Sequence, residues 1–258
     1  MWYYYGHTMN IYLKIKQLLH RFGYDIRYHH PFYETVIEPL GVATILDIGA
    51  NSGHYSKEMN ARFPKATIYA FEPLGDCFTE LEALAKNIPN IHPLHYALGD
   101  ENAEQDIERS TFHPSSSLLS MTSLHTTLYP KSAGSTKERI TIKCLDDVAS
   151  TLSLTAPLLV KIDVQGYEDK VIDGGTETLK KASAILVETS FFPLYEEQPL
   201  FTAIAAKLSA LGFSYYGAYH THYSKKTGRA MYEDSVFISE DTRKRFEAAE
   251  LAASQPRN

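Results

Sequence analysis

From residue 42 onward, short apolar runs alternate with amphipathic ones. VATILDIG is short, apolar and stopped by glycine, as a strand buried on both faces would be. SKEMNARFP predicts a helix that ends before Pro64. ATIYAFEP predicts a second strand, and LGDCFTELEALAKN a second helix with Leu81, Leu84 and Ala85 along one face. IHPLHYALGD reads as a third strand weakened by Pro93. PLLVKIDVQG and SAILVETS read as a fourth and fifth, separated by one helical stretch, YEDKVIDGGTETLKKA. GFSYYGAYHTHYSKKTGRAMYEDSVFIS reads as two more strands around a polar turn. Strands alternating with helices imply right-handed crossovers. The fold class expected is α/β: a doubly wound, mostly parallel, seven-stranded Rossmann-like sheet with an antiparallel C-terminal hairpin.

Two regions interrupt the alternation. Residues of about 101–147 form an insertion whose middle, STFHPSSSLLSMTSLHTTLYPKSAGSTKE, is rich in Ser and Thr and flanked by strand-like EQDIERS and ERITIKCLDD. A long irregular segment inside a compact domain is often functional, and a lid is the natural expectation. The N-terminal stretch places Ile11, Ile15, Leu18, Leu19 and Phe22 at helical spacing beside Lys14, Lys16 and Arg21. A helix packed on its own domain and a membrane-surface helix both suit that pattern. The organisation expected is an extension over 1–40, a cofactor-binding domain over 41–240, and a helical or disordered tail over 241–258.

Composition narrows the partners. The formal net charge of −6 disfavours a general nucleic-acid binder. Cys77 and Cys144 lie far apart with no CxxC spacing, which argues for reduced thiols rather than a disulfide framework. No secretory leader pattern opens the sequence and no apolar run approaches the ~20 residues of a spanning helix, so a soluble, cytoplasmic protein is expected. A homo-oligomer is compatible with all of this.

The chemistry starts at Asp47-Ile48-Gly49-Ala50-Asn51-Ser52-Gly53, at the end of the first strand. In a parallel sheet, ligands gather at the carboxyl ends of strands. The turn is not a P-loop, having no GKS or GKT, nor does it match the GxGxxG of dinucleotide sites. Glu72 ends the second strand, where a carboxylate can accept bonds from both hydroxyls of a ribose. Together they suggest an adenosine-bearing ligand, and NAD and S-adenosylmethionine both qualify.

DIGANSG, AFEP, HYALGD, CLDDV, KIDVQGYEDKVIDGG and ILVETS occur in one order over roughly residues 42–190. In that respect the chain resembles FkbM-type methyltransferases, a branch of the class I S-adenosylmethionine-dependent enzymes. The resemblance implies that Asp47, Gly49, Asn51, Gly53, Glu72 and Ala97 bind S-adenosylmethionine. It also implies methyl transfer, mostly to oxygen, on sugars or secondary metabolites. The family's DxEGxE segment matches Asp163, Gly166 and Glu168, but Gln165 stands where glutamate is usual. The turn would then face the amino-acid end of the cofactor, with Asp47 near its ammonium and helix N–H groups around Gly53 near its carboxylate.

Methyl transfer from a sulfonium is an in-line displacement, so the protein must align an acceptor oxygen and manage its proton. Alignment can be worth about 7–11 kcal/mol, and a positioned base about 10²–10⁴-fold. Asp163 is the first candidate base, with a helix N-cap as its alternative role. Glu188 ends the fifth strand on the same rim, where a structural hydrogen bond would also explain it. Glu168 can instead support the following helix. His220 and His222, two apart in a strand, share one face and suit proton transfer near pH 7. These residues could also converge on a divalent metal, although spacing alone does not establish ligands. Tyr215, Tyr216, Tyr219 and Tyr223 suit either a carbohydrate rim or cross-strand packing. Ser115, Ser116 and Ser117 fit substrate binding or a plain loop, and His92, His95 and His113 are assigned to structure. The expected function is O-methylation of a sugar, glycan or small-molecule hydroxyl. The rivals are a non-catalytic module that keeps the fold, for which Gln165 is the only support, and an NAD-dependent oxidoreductase.

Overall fold

The computed structural model describes residues 33–110, 117–119, 122, 135–224 and 226–254, with Lys14, Leu18, Leu19 and Arg21 near the N-terminus. The chain divides into two units, Met1–Thr35 and Val36–Asn258. In the first, the four described positions near the N-terminus are helical. The rest of the amphipathic N-terminal pattern lies outside the described residues, as do most of the Ser/Thr-rich segment, including His113, Ser115 and Ser116, and the last four residues.

In the second unit seven strands form one sheet in the order β3-β2-β1-β7-β8-β10-β9. These are β1 (Thr44–Ile48), β2 (Thr67–Phe71), β3 (Ile91–Leu94), β7 (Leu158–Ile162), β8 (Ala182–Ser190), β9 (Phe213–Tyr223) and β10 (Ala230–Ser239). The first five run parallel, and β10 lies antiparallel between β8 and β9. Every residue of β1 is buried, as a strand covered on both faces requires. Helices α1 (His54–Arg62) and α2 (Gly75–Ala85) follow β1 and β2. One apolar cluster joins Leu46, Ile48, Val160, Ile162, Ile185 and Val187 of the sheet to Val171, Ile172, Ile204 and Leu208.

Two expectations need correction. IHPLHYALGD is not one strand. Tyr96 N–H bonds back to Leu94 O at 3.1 Å in a three-residue turn, which ends β3 and starts β4 (Ala97–Gly99) in a second sheet. Pro93 is tolerated because β3 is an edge strand. The stretch from Tyr167 to Ala182 is likewise not one helix. It divides into α4 (Glu168–Asp173) and α5 (Thr176–Leu179), numbered after α3 (Leu145–Ala149). A side-chain carbon on Gly174 would lie 1.8 Å from the Gly99 carbonyl oxygen, so the chain passes too close there for any other residue. Asp146 then takes the Glu177 and Thr178 N–H groups at 3.0 and 2.7 Å, capping α5 from another element.

The flanks of the insertion are β5 (Ala103–Ser110) and β6 (Ser135–Cys144), which with β4 make a three-stranded sheet. Its apolar side chains, Ile107, Ile140 and Ile142, pack on Leu74 and Cys77 where α2 begins. Between β8 and β9 runs α6 (Phe201–Ala210), which brings Ile204 and Leu208 to the main core. After β10, α7 (Glu240–Ser254) returns along the sheet, held by Thr242 Oγ1 donating to Ser183 O at 3.0 Å. The strand order reverses between β1 and β7, so the turns after these strands stand side by side at one rim.

Candidate active site

The turn after β1 is built by close backbone packing. Gly49 has φ +80°, and a side-chain carbon there would sit 2.0 Å from the Asp163 carbonyl oxygen. Gly53 has φ +84° and abuts Leu81 and Leu84 of α2. Both glycines therefore let the turn pack against its own protein neighbours. Asn51 takes φ +51°, which Asn tolerates better than most residues, and its side-chain oxygen accepts Ser52 N–H at 2.7 Å.

Glu72 ties this turn to the next. One carboxylate oxygen accepts Asn51 N–H at 2.8 Å and the other Leu74 N–H at 2.8 Å. Two lone pairs remain for a ligand's hydroxyls. Burial raises its pKa to about 7, against the lowering effect of those two bonds. Asp47 is fully buried, and its Oδ2 accepts Ser56 Oγ–H at 2.6 Å. Its Oδ1 has no hydrogen-bond partner and lies 3.5 Å from the Lys161 ammonium. Lys161 thus supplies the cation beside this oxygen, which the surrounding protein closes off from solvent. Gly53 caps α1 without a side-chain bond to its N–H groups. Ala97 lies apart from this turn in the strand order, opening β4 of the small sheet opposite Ile142.

The turn after β7 faces the β1 turn. Asp163 is one-third exposed, and its Oδ2 lies 3.4 Å from Lys161 Nζ. Lys161 donates to Gly49 O at 3.0 Å and so pins the two turns together. Burial works against its charge, but Asp163 and Asp47 outweigh that and hold its pKa above the usual lysine range. Gln165 has φ +56°. Its amide nitrogen donates to Asp163 Oδ1 at 2.7 Å and Glu188 Oε1 at 3.2 Å, and its amide oxygen accepts Tyr195 O–H at 2.8 Å. Ser117 Oγ donates to the Gln165 carbonyl at 2.5 Å, so the described part of the insertion is fastened to this turn.

Other candidates divide between site and scaffold. Glu168 is buried, and its Oε1 accepts Val164 and Gly166 N–H at 3.2 and 3.0 Å, closing the turn. His220 is exposed and stands opposite Asp234, which in turn stands opposite Glu188. That row brings Asp163, Glu188, Asp234 and His220 to one rim. His222 is half-buried and stacks on Tyr232, ring centroids 4.7 Å apart. Tyr215 packs edge-on against Phe201 and Phe237 and donates to Glu233 at 2.9 Å; Tyr216 packs on Phe246. Packing thus accounts for those two tyrosines. Tyr219 and Tyr223 are exposed on β9. His92 lies against Tyr69 and His95 stacks on Phe78. Among the described residues, no group of three or more His, Cys, Asp or Glu is placed to hold a metal ion.

Lys161, Tyr195 and Asp234 are the site residues that the sequence reading missed. A lysine inside the apolar run LLVKI was the available signal, since lysine is buried only when paired.

Burial raises Glu168 to about 7 and Asp234 to about 6, as it raises Glu72. A carboxyl whose folded pKa exceeds its unfolded one favours the fold while protonated. Its contribution is complete below about pH 4.5 and is lost as pH rises toward 7. The denaturation midpoint is therefore expected to fall between pH 5 and pH 8, and to fall less steeply in Glu168→Gln. A midpoint that rises over this interval would contradict the assignment.

The parallel sheet with an antiparallel final pair, the acid-glycine turn after β1 and the strand-end Glu72 together define a Rossmann-like methyltransferase fold. The domain profile described as "Methyltransferase FkbM domain" matches residues 47–215. The chain belongs to the FkbM methyltransferase family. It is 32% identical over 171 residues to the 2-O-methyltransferase NoeI of Sinorhizobium fredii, covering 60% of this chain and 66% of that protein. It is 28% identical over 168 residues to the hexuronic acid methyltransferase AglP of Haloferax volcanii, covering 64% of this chain and 63% of that one. The match thus spans just under two thirds of the length of either relative. Among solved structures, the FkbM methyltransferase of Methylobacillus flagellatus KT aligns with a TM-score of 0.49 at 10% identity, over 77% of this chain and 44% of that one. Among the described residues, no helix is long and apolar enough to cross a membrane.

Proposed function

We propose that the chain is an S-adenosylmethionine-dependent O-methyltransferase acting on a hydroxyl of a sugar or glycan. The observation that carries this reading is the meeting of the two turns at the switch point. The turn after β1, tied to the next by Glu72, stands beside a turn whose Gln165 amide joins its own Asp163 to Glu188 of β8. The printed functions of the two relatives, a 2-O-methyltransferase and a hexuronic acid methyltransferase, support the acceptor class.

In this reading the first turn of α1 holds the amino-acid end of the cofactor, with the buried Asp47 behind it fixing the turn through Ser56, and Glu72 holds its ribose hydroxyls. When bound, S-adenosylmethionine supplies an electrophilic methyl group on a sulfonium. Asp163 accepts the proton of the acceptor hydroxyl, and Glu188 and His220 line the acceptor side. Lys161 holds Asp163 against Asp47 so that its carboxylate keeps one position, which is the orientational part of catalysis. Asp163 is one-third exposed at the rim, in keeping with an acid that meets an acceptor.

The test is transfer of labelled methyl groups from S-adenosylmethionine to a panel of uronic acids, methyl glycosides and non-sugar alcohols. Label on sugar oxygen supports the reading. Label only on non-sugar alcohols would move the acceptor class, and label nowhere despite cofactor binding would favour a non-catalytic module.

A further inference from the structure

We infer that Gln165 is a positioning residue that holds Asp163 and Glu188 as a side-by-side carboxylate pair, giving one amide hydrogen to each, and that this neutral bridge sets the pH at which the pair can take an acceptor's proton. The inference rests on the methyl-transfer reading above.

The geometry assigns every polar group of the Gln165 side chain. Its nitrogen spends both hydrogens on the two acids, at 2.7 and 3.2 Å. Its side-chain oxygen accepts from Tyr195, whose ring is buried and whose own N–H is fixed by Gln198 at 3.2 Å. Its main-chain oxygen accepts from the buried Ser117. A residue in left-handed backbone conformation is thereby fixed at both its main chain and its side chain. Such over-determination is what maintains a strained position, and it is often found where geometry matters for function.

Charge explains why the residue is neutral. The pair is faced by Lys161 from β7, Glu168 from α4, Asp234 from β10 and Tyr195 from the loop after β8, with His220 of β9 beyond Asp234. Lys161 lies directly against Asp163, and its charge is shared with Asp47. A glutamate at this position would set a third carboxylate against Asp163 and Glu188, and like charges at such distances do not all ionise. A further proton, beyond the one that burial already favours on Glu188, would stay in the cluster until higher pH, and the acid limb of turnover would move up with it. Burial, with Asp163 and Glu168 nearby, already pushes the Glu188 carboxyl well above the usual range; glutamine gives a hydrogen to each acid and adds no further charge. Gln165 thus tunes the charge of the pair without supplying a base itself.

The experiment compares wild type with Gln165→Glu and Gln165→Leu, in full-length protein, by three readouts. Titration with S-adenosylmethionine comes first, because failure of wild type to bind it overturns the methyl-transfer reading and not the bridge. Binding is expected to be nearly unchanged in both variants. Next is the pH profile of methyl transfer to whichever panel sugar wild type accepts. In Gln165→Glu the acid limb is expected to move up by about one pH unit or more, a loss of about tenfold on the acid side that recovers at higher pH. A uniform loss at all pH values, or an unmoved limb, overturns the inference.

The third readout needs no acceptor. At about pH 4.5, the ordinary range for a glutamate side chain, the carboxyl introduced by Gln165→Glu holds its proton among the other acids and still offers a hydrogen-bond donor. The variant's stability should therefore approach that of wild type there. Its deficit is expected to grow as pH rises, since a carboxyl with raised folded pKa loses its contribution upward. A deficit that stays constant with pH overturns the inference even if no acceptor has been found. Gln165→Leu, which cannot ionise, is expected to slow transfer with a smaller displacement of the limb; a displacement equal to that of Gln165→Glu would contradict the like-charge argument.

Discussion

Asp163→Asn is expected to slow methyl transfer by about 10²–10⁴-fold, the range associated with a positioned general base. Cofactor binding should be nearly unchanged, because Asp163 belongs to the turn after β7 while Asp47 and Glu72 serve the turns after β1 and β2. Asparagine keeps the oxygen that accepts from Gln165, and Lys161 keeps Asp47 as its ion partner. The fold therefore has no reason to collapse, and the lost function is the capacity to take a proton. Steady-state kinetics with a sugar acceptor would show the effect in kcat. A loss smaller than tenfold would remove Asp163 from the role of base and leave it an orienting residue.

Lys161→Met is expected to cost about 3 kcal/mol of stability, the low end of the range for removing one partner of a buried ion pair. Asp47 is fully buried and would lose the cation beside it, while Asp163 is one-third exposed and recovers some solvation. The methionine replaces most of the packed stem, so the cost is chiefly electrostatic. It also loses the bond to Gly49 O that ties the turns together, so cofactor binding should weaken with stability. Urea denaturation measures the first and titration the second. A cost below about 1 kcal/mol would place Lys161 among ordinary surface ion pairs.

How far the site could be read from the sequence depends on which interactions are local. Asp47 through Gly53 and Glu72 stand at strand ends, and strand ends are marked by an apolar run meeting glycine or proline. The two glycines, however, pack against Asp163 and α2 rather than standing open to a ligand, a fact that depends on neighbours far along the chain. Asp234 and Glu188 became neighbours only through the pairing of β10 with β8, and register across a sheet leaves no mark in either strand alone. The same holds for Gln165. Its departure from the family pattern was visible, but the side-chain bonds that explain it run to Asp163, Glu188 and Tyr195, two of them distant in sequence. Period-two reasoning placed His220 and His222 on one face, yet it could not tell that one is exposed and the other stacks on Tyr232. The fold was easier to read, because its alternation is carried by the buried strands themselves. It failed at Leu94–Tyr96 and at Gly174, where a turn and a close backbone crossing override local propensity.

Calorimetric titration with S-adenosylmethionine and, separately, NAD tests the central claim most directly, in wild type and in Glu72→Gln. Saturable binding of S-adenosylmethionine alone, weakened by the substitution, is the expected result. Binding of NAD, or of neither ligand by a folded protein, would contradict it.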